Sequence, residues 1–127
     1  MNVILDTHVL VWWEWDQAKI SPGALRLIEN PGNRILVSDI SFWEMVVKAQ
    51  AGKPMIRGSV RAMADRQVAN GITLLPISIE HVLGVESLPM FHKDPFDRLL
   101  IAQAIAESAV LVSADQVLAH YPVPVLW

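Results

Sequence analysis

Short apolar runs alternate along the chain with longer amphipathic segments. Five of these runs are rich in Val, Ile and Leu, which is typical of strands that are buried on both faces of a parallel sheet. They cover residues 2–6, 35–37, 72–77, 109–112 and 123–126. Pro76 indicates that the third run is an edge strand or ends at this residue. The first run is expected at the centre of the sheet, with ligands bound beyond the carboxyl ends of the strands.

Helical segments separate the apolar runs. They are predicted at about residues 8–15, 21–29, 39–51, 60–69, 80–87 and 94–108, with a helical turn at 115–119. Ser21-Pro22 and Asp94-Pro95 are typical helix starts, with a capping residue followed by Pro. The alternation predicts an α/β fold with one domain over residues 1–127. Its three layers are a central, mainly parallel five-stranded sheet and helices on both faces.

Composition narrows the classes of function. Hydrophobic residues make up 53% of the 127 residues, yet no apolar run is long enough to span a bilayer, so no membrane partner is expected. The excess apolar surface belongs either in a sheet covered on both faces or at a contact with another protein. The absence of cysteine excludes disulfides and thiolate metal sites, and a cytoplasmic location is expected. The net charge of −3 excludes a broad basic face for nucleic acid.

Four acidic residues follow predicted strands or open the helices after them. Because the carboxyl ends of parallel strands share one edge of a sheet, these carboxylates are expected to meet there. Two carboxylates about 4 Å apart repel by about 4 kcal/mol at an effective dielectric of 20, so the cluster requires protons or cations. Hard divalent ions prefer such oxygen ligands and can activate water against a phosphodiester. The four residues are Asp6, Glu44, Asp97 and Asp115.

Each acid also has a structural interpretation. Ser41 to Glu44 fits a capping box, while Asp97 and Asp115 fit positions near helix N-termini. Asp6 is the hardest to explain in this way, because a carboxylate at a buried strand end is costly unless it is paired or bound to metal.

Four motifs resemble those of the PIN domain family, and within it the VapC-type toxins of bacterial toxin–antitoxin pairs. The resemblance covers the whole chain. The most specific motif is HKDPFDRLLIAQA at 92–104, and the others are LDTHVLVWW at 5–13, SDISFWE at 38–44 and SAD at 113–115. Many members have Thr at the position of Ser113, but the hydroxyl is retained here.

The resemblance implies an endoribonuclease that hydrolyses RNA phosphodiester bonds with water activated by Mg²⁺ or Mn²⁺. It also implies a cognate antitoxin protein that inhibits the toxin, and we expect a homodimer. The catalytic and metal-binding residues would be Asp6, Glu44, Asp97 and Asp115. The supporting candidates are Thr7, Ser113, Asp94 and Arg98, of which Asp94 is assigned chiefly to helix capping.

Several other side chains have two interpretations each. Thr7 and Ser113 either hydrogen-bond a carboxylate or a metal-bound water, or cap a helix. Arg98 either meets phosphate or is a solvated or paired charge. His8 and His92 either touch substrate phosphate or are structural, and the structural interpretation is favoured.

Three tryptophans lie in the first predicted helix. Helical spacing places Trp12 and Trp15 on one face and turns Trp13 about 100° away, so burying all three requires cover on two sides. A small domain covers a helix poorly on two sides, so Trp12, Trp13 and Trp15 are predicted antitoxin contacts, with Trp13 foremost. A groove along this helix is expected to lead towards the acidic edge.

Two alternatives stay open at this point. One is a catalytically silent interaction module that keeps the PIN fold and uses its acids as caps. The other is a DNA nuclease or phosphatase with a similar acidic site. A phosphatase of the haloacid dehalogenase type would need a second Asp two residues after Asp6, where this chain has His8.

Overall fold

Five strands form one parallel sheet in the computed structural model, which describes residues 1–127. They are β1 (Asn2–Leu5), β2 (Arg34–Ser38), β3 (Thr73–Leu75), β4 (Val110–Val112) and β5 (Val125–Leu126). Their order across the sheet is β3-β2-β1-β4-β5, and every neighbouring pair is parallel. The predicted five-stranded parallel sheet with the first strand at its centre is confirmed.

Six α-helices connect or follow these strands. They are α1 (Thr7–Trp15), α2 (Pro22–Glu29), α3 (Asp39–Gln50), α4 (Val60–Ala69), α5 (Ile79–Glu86) and α6 (Pro95–Ala106). Short 3₁₀ helices follow α1 at Gln17–Lys19 and β4 at Gln116–His120. None of the helices combines the length and apolarity that crossing a bilayer requires.

The sheet separates two hydrophobic cores, because successive residues of a strand point to opposite faces. On one face Val3 and Leu5 pack in the core that includes residues of α1, α2 and α4. On the other face Ile4 packs in the core that includes residues of α6. Helix α3 contributes Ile40 to this second core and Met45 to the first. The predicted three-layer α/β/α arrangement is confirmed.

The start of α3 and the end of β3 can be compared with the predicted boundaries. Helix α3 begins at Asp39, and the hydroxyl of Ser38 caps it by accepting a 3.0 Å hydrogen bond from a main-chain N–H two residues on. The predicted capping box at Ser41 is therefore wrong, because Ser41 already lies inside the helix and is fully buried. Strand β3 lies at the edge of the sheet and ends at Leu75, directly before Pro76, as its position indicated.

Candidate active site

Asp6 directly follows β1 at the carboxyl edge of the sheet, and only 6% of the residue is exposed. Its Oδ1 accepts a 3.1 Å hydrogen bond from the main-chain N–H of His8 and so caps α1. Its Oδ2 accepts a 2.6 Å hydrogen bond from the hydroxyl of Ser113. Each oxygen has one protein partner and retains a second lone pair, so the carboxylate is fixed in orientation but still able to bind a cation.

Ser113 links the first predicted acid to the last one. While its hydroxyl donates to Asp6, its Oγ accepts a 3.0 Å hydrogen bond from the main-chain N–H of Asp115. Asp115 Oδ1 caps the second 3₁₀ helix through a 3.0 Å bond from Val117 N–H. Its Oδ2 lies 3.1 Å from the imidazole of His92. Asp115 is therefore both a helix cap and a member of the acidic edge, because its two oxygens have different partners.

His92 joins two of the predicted acids. Its Nε2 lies 3.0 Å from Asp97 Oδ2 and 3.1 Å from Asp115 Oδ2. Its Nδ1 accepts a 3.2 Å hydrogen bond from the main-chain N–H of Asp94, so the proton of the neutral ring is on Nε2 and faces both carboxylates. Nothing in the sequence pattern indicated this bridge, which joins a loop, a helix and a strand end.

Asp97 lies in the first turn of α6, which Asp94 caps. Asp94 Oδ1 accepts hydrogen bonds of 2.8 and 3.2 Å from two main-chain N–H groups of that turn, as predicted for a capping residue. The pKa of Asp97 is raised from 3.8 to about 7; burial is the largest cause, the negative charges of Asp6 and Asp94 add to it, and His92 opposes it. The site therefore disfavours the ionised form of Asp97 when no cation is bound.

Glu44 projects from α3 and is 5% exposed. Burial raises its pKa, the Thr7 hydroxyl opposes this rise, and the charges of Asp94 and Asp6 add to it. The hydroxyls of Thr7 and Ser41 lie 2.9 Å apart and are buried, so they connect the start of α1 to α3. The negative charge of Asp6 raises the pKa of both Glu44 and Asp97, so all three carboxyl groups interact electrostatically. We term Asp6, Glu44, Asp97 and Asp115 the acidic rim.

Arg98 follows Asp97 in sequence but does not face the acidic rim. It is buried, and its guanidinium donates to the main-chain carbonyls of Pro89 (2.9 Å), Val85 (3.3 Å) and Leu88 (3.4 Å). The prediction that Arg98 meets phosphate or is a solvated or paired charge is therefore wrong. Helical spacing was the available signal, because Arg98 shares a face with the buried Ile101.

Arg98 and Tyr121 hold the loop that carries His92. The Arg98 guanidinium lies 3.4 Å from Tyr121 Oη, and that oxygen accepts a 2.8 Å hydrogen bond from His92 N–H. Both side chains are buried, so the loop is anchored from beneath. Arg98 thus supports the site by fixing the position of His92 and not by contacting a ligand.

The three tryptophans of α1 are half-buried and have different neighbours. Trp12 lies 5.7 Å from Trp127, centroid to centroid, and the Arg66 guanidinium lies 5.6 Å from the Trp15 ring. Trp13 lines a cavity of about 520 Å³ beside the starts of β2 and β3. This cavity lies at the edge opposite the acidic rim, because α1 runs away from the rim. The expectation that a groove at Trp13 leads towards the acids is therefore wrong.

The residues of the acidic rim fit a divalent cation. All four supply carboxylate oxygens, which Mg²⁺ and Mn²⁺ prefer. Their ion pairs involve only His8 and His92, so no Lys or Arg neutralises them. Two of the four have raised pKa values, as expected for buried acids that lack a compensating positive charge.

Comparisons with known proteins agree with this arrangement. The PIN domain family matches residues 3–124. The chain is 30% identical over 116 residues to ribonuclease VapC22 of Mycobacterium tuberculosis. The matched region covers 91% of this chain and 88% of that protein.

Solved structures share the fold at lower identity. The crystal structure of VapBC2 from Rickettsia felis, bound to a DNA fragment from their promoter, matches with a TM-score of 0.74 and 17% identity over 99% of this chain and 98% of that chain. The structure of VapBC-1 from nontypeable Haemophilus influenzae matches with a TM-score of 0.65 and 17% identity, over 99% and 97%. The fold, the motifs and these matches together show that the chain belongs to the PIN domain family.

Proposed function

We propose that this chain is a metal-dependent endoribonuclease and the toxin of a toxin–antitoxin pair. The observation that carries the proposal is the acidic rim, in which Asp97 has a pKa of about 7 because it is buried near other acids. A cluster with this much uncompensated negative charge is suited to a cation and to a phosphodiester that the cation neutralises. The ribonuclease that is 30% identical to this chain supports RNA as the substrate.

The proposed ligands of the cation are the four carboxylates of the acidic rim. When bound, Mg²⁺ or Mn²⁺ would supply an activated water and neutralise charge on the phosphodiester. Ser113 and the N–H of His8 fix the orientation of the Asp6 carboxylate. Thr7 and Ser41 connect the helices that carry Asp6 and Glu44. We expect direct hydrolysis of RNA without a covalent intermediate.

An antitoxin is the first proposed partner. The VapBC structures that share this fold support it. We place the contact at Trp12, Trp13 and Trp15, with Trp13 foremost because it lines an open cavity. An antitoxin segment bound in this cavity would not reach the acidic rim. Another part of the same antitoxin would therefore have to block the rim.

A second copy of the chain is the other proposed partner. Helix α5 and the following loop expose five large apolar side chains on the side of the sheet that carries α6. This surface supports a homodimer, since exposed apolar clusters commonly mark contacts between proteins. The five are Ile79, Val82, Leu83, Met90 and Phe91. We further propose that residues 1–127 act as one domain and that the protein works in the cytoplasm, with which the lack of cysteine is compatible.

The test compares RNA and DNA of the same sequence, each with Mg²⁺, Mn²⁺ or a chelator. We expect internal cleavage of the RNA only, and only when metal is present. Cleavage confined to DNA would favour the DNA nuclease. A folded protein that binds Mn²⁺ but cuts neither polymer would favour the silent interaction module.

A further inference from the structure

Three aromatic side chains form a row that begins beside the acidic rim. The ring centroids of His8 and Trp12 lie 6.1 Å apart with a tilt of 49°, and those of Trp12 and Trp127 lie 5.7 Å apart with a tilt of 59°. His8 Nδ1 lies 3.9 Å from Asp6 Oδ1. The row of His8, Trp12 and Trp127, which we term the aromatic row, therefore starts at a carboxylate of the candidate active site.

The aromatic row is assembled from two distant parts of the chain. His8 and Trp12 lie one turn apart on α1, which places them on the same face. Trp127 follows β5, whose last carbonyl accepts a 3.1 Å hydrogen bond from the N–H of Ser113. The hydroxyl of Ser113 in turn donates to Asp6. Pairing of β5 with β4 thus brings Trp127 to the edge of the sheet that holds the acids.

Two of the three rings are accessible to a ligand. The side chain of His8 is 62% exposed, Trp127 is 41% exposed, and Trp12 is half-buried between them. Single exposed aromatic residues are common in proteins. Trp43 is one of these, since it is 56% exposed and has no aromatic neighbour. The aromatic row differs because its rings adjoin one another and reach the site.

The charge of the protein favours a ligand that is recognised through its bases. The net charge is −3, and Arg98, the arginine closest in sequence to the site acids, is buried beneath a loop. Arg98 therefore contributes no phosphate contact. Aromatic side chains bind unpaired bases by stacking, which requires no positive charge and tolerates many sequences.

We propose that the aromatic row is a subsite that stacks unpaired RNA bases next to the bond that is cut. The proposal rests on the endoribonuclease function proposed above. Trp12 is the one residue of the row that is also a proposed antitoxin contact. RNA is favoured over a protein segment as the occupant of the row because the row begins 3.9 Å from Asp6, whereas the cavity at Trp13 lies at the opposite edge. The row would therefore select single-stranded substrate and set its position relative to the acidic rim.

Binding is tested with a short unstructured RNA of mixed sequence and with an abasic oligomer of the same length. Both are titrated onto protein that carries Asp6→Asn, so that cleavage does not interfere. Trp127→Leu keeps apolar bulk but removes the stacking face, and it should weaken RNA binding about tenfold. Trp127→Phe should cause a smaller loss, and the abasic oligomer should bind all of these proteins equally. Trp43→Ala serves as the control, because it removes an exposed indole outside the row.

Three results would overturn the proposal. The first is unchanged RNA affinity in Trp127→Leu, and the second is an equal loss for RNA and the abasic oligomer. The third is a loss of antitoxin affinity with RNA affinity unchanged, which would assign the row to the protein partner. Thermal unfolding of each variant identifies a folding defect. If Trp127→Leu is misfolded, the RNA affinity of Trp127→Phe is compared with the wild type, and that of His8→Ala with His8→Phe.

Cleavage assays separate this proposal from the proposed function. In otherwise wild-type protein, Trp127→Leu should raise KM for unstructured RNA about tenfold. If the wild type cuts RNA and this variant has an unchanged KM, only the stacking subsite is wrong. If the wild type cuts no RNA with either metal, the endoribonuclease function itself is wrong.

Discussion

The hydroxyl of Ser113 donates a 2.6 Å hydrogen bond to Asp6, which lies 107 positions earlier in the chain. Both residues are buried, and they stand at the carboxyl ends of the neighbouring strands β4 and β1. A hydrogen bond to a carboxylate is stronger than one between neutral groups. It fixes the Asp6 carboxylate at the point where the acidic rim begins.

Removal of this bond should weaken cation binding. We expect Ser113→Ala to lower the affinity for Mn²⁺ by about tenfold, because groups that orient a metal ligand typically contribute tenfold to a hundredfold. Ser113→Thr retains the hydroxyl and serves as the control. Calorimetric titration of the folded proteins measures the effect, and equal affinity in the wild type and Ser113→Ala would contradict it.

Metal-free protein should become less stable as the pH rises. The pKa of Asp97 is raised from 3.8 to about 7 on folding, so the folded state favours the protonated form. The unfolded chain releases this proton at lower pH. The free energy of unfolding in chelator should therefore fall between about pH 4 and pH 7, by at most about 4 kcal/mol from this residue. Glu44, whose pKa is also raised, contributes in the same direction.

Urea unfolding at a series of pH values measures this decline. Asp97→Asn removes the titrating group and should flatten much of the profile. Saturating Mn²⁺ should also restore stability near neutral pH, because a ligand that binds only the folded state stabilises it. The same pH dependence in the wild type and Asp97→Asn would show that burial of Asp97 does not carry the effect.

The imidazole of His92 should compete with a bound cation. Its N–H faces one oxygen of Asp97 and one of Asp115, so a cation that uses those oxygens must displace either the imidazole or this proton. We expect His92→Ala to raise the affinity for Mn²⁺ by about threefold to tenfold, the equivalent of one lost hydrogen bond. His120→Ala is the control, because His120 is exposed and pairs with no rim acid. A lower affinity in His92→Ala would instead identify His92 as a ligand.

The parallel sheet and the acidic rim could be predicted because both depend on local patterns. Each short apolar run predicts a strand, and Asp6 and Asp115 closely follow the first and fourth runs. Once the strands are parallel, their carboxyl ends must share an edge. Asp94-Pro95 likewise marks the start of α6 through residues that are adjacent in the sequence.

Contacts between distant side chains were beyond such patterns. The sequence predicts that Arg98 meets phosphate or is a solvated or paired charge, but its guanidinium is buried and satisfied by carbonyls of α5 and the loop after it. His92 bridges two acids only because that loop is anchored in this position. A groove along the first helix leads away from the acids because α1 starts at the carboxyl edge of the sheet and runs back from it.

The cavity at Trp13 predicts a separation between antitoxin binding and catalysis. Trp13→Ala should weaken antitoxin binding by more than about 1 kcal/mol, as expected for an aromatic contact residue. Cleavage by the free protein should be largely unchanged, because the cavity lies at the edge opposite the acidic rim. Titration of both proteins with the cognate antitoxin measures the affinity. Equal affinities would remove Trp13 from the interface, and a misfolded variant would show that its role is to pack the core.

Cleavage of RNA by the wild type, Asp6→Asn and Asp97→Asn across a titration of Mn²⁺ tests the assignment of the acidic rim most directly. Each Asn is nearly isosteric with Asp but removes one negative charge, and circular dichroism shows whether the fold is kept. We predict saturable, metal-dependent cleavage by the wild type and a loss of at least about a hundredfold in both variants, because cation binding contributes several kcal/mol to such reactions. Cleavage at the wild-type rate by either variant with a native spectrum would contradict the assignment.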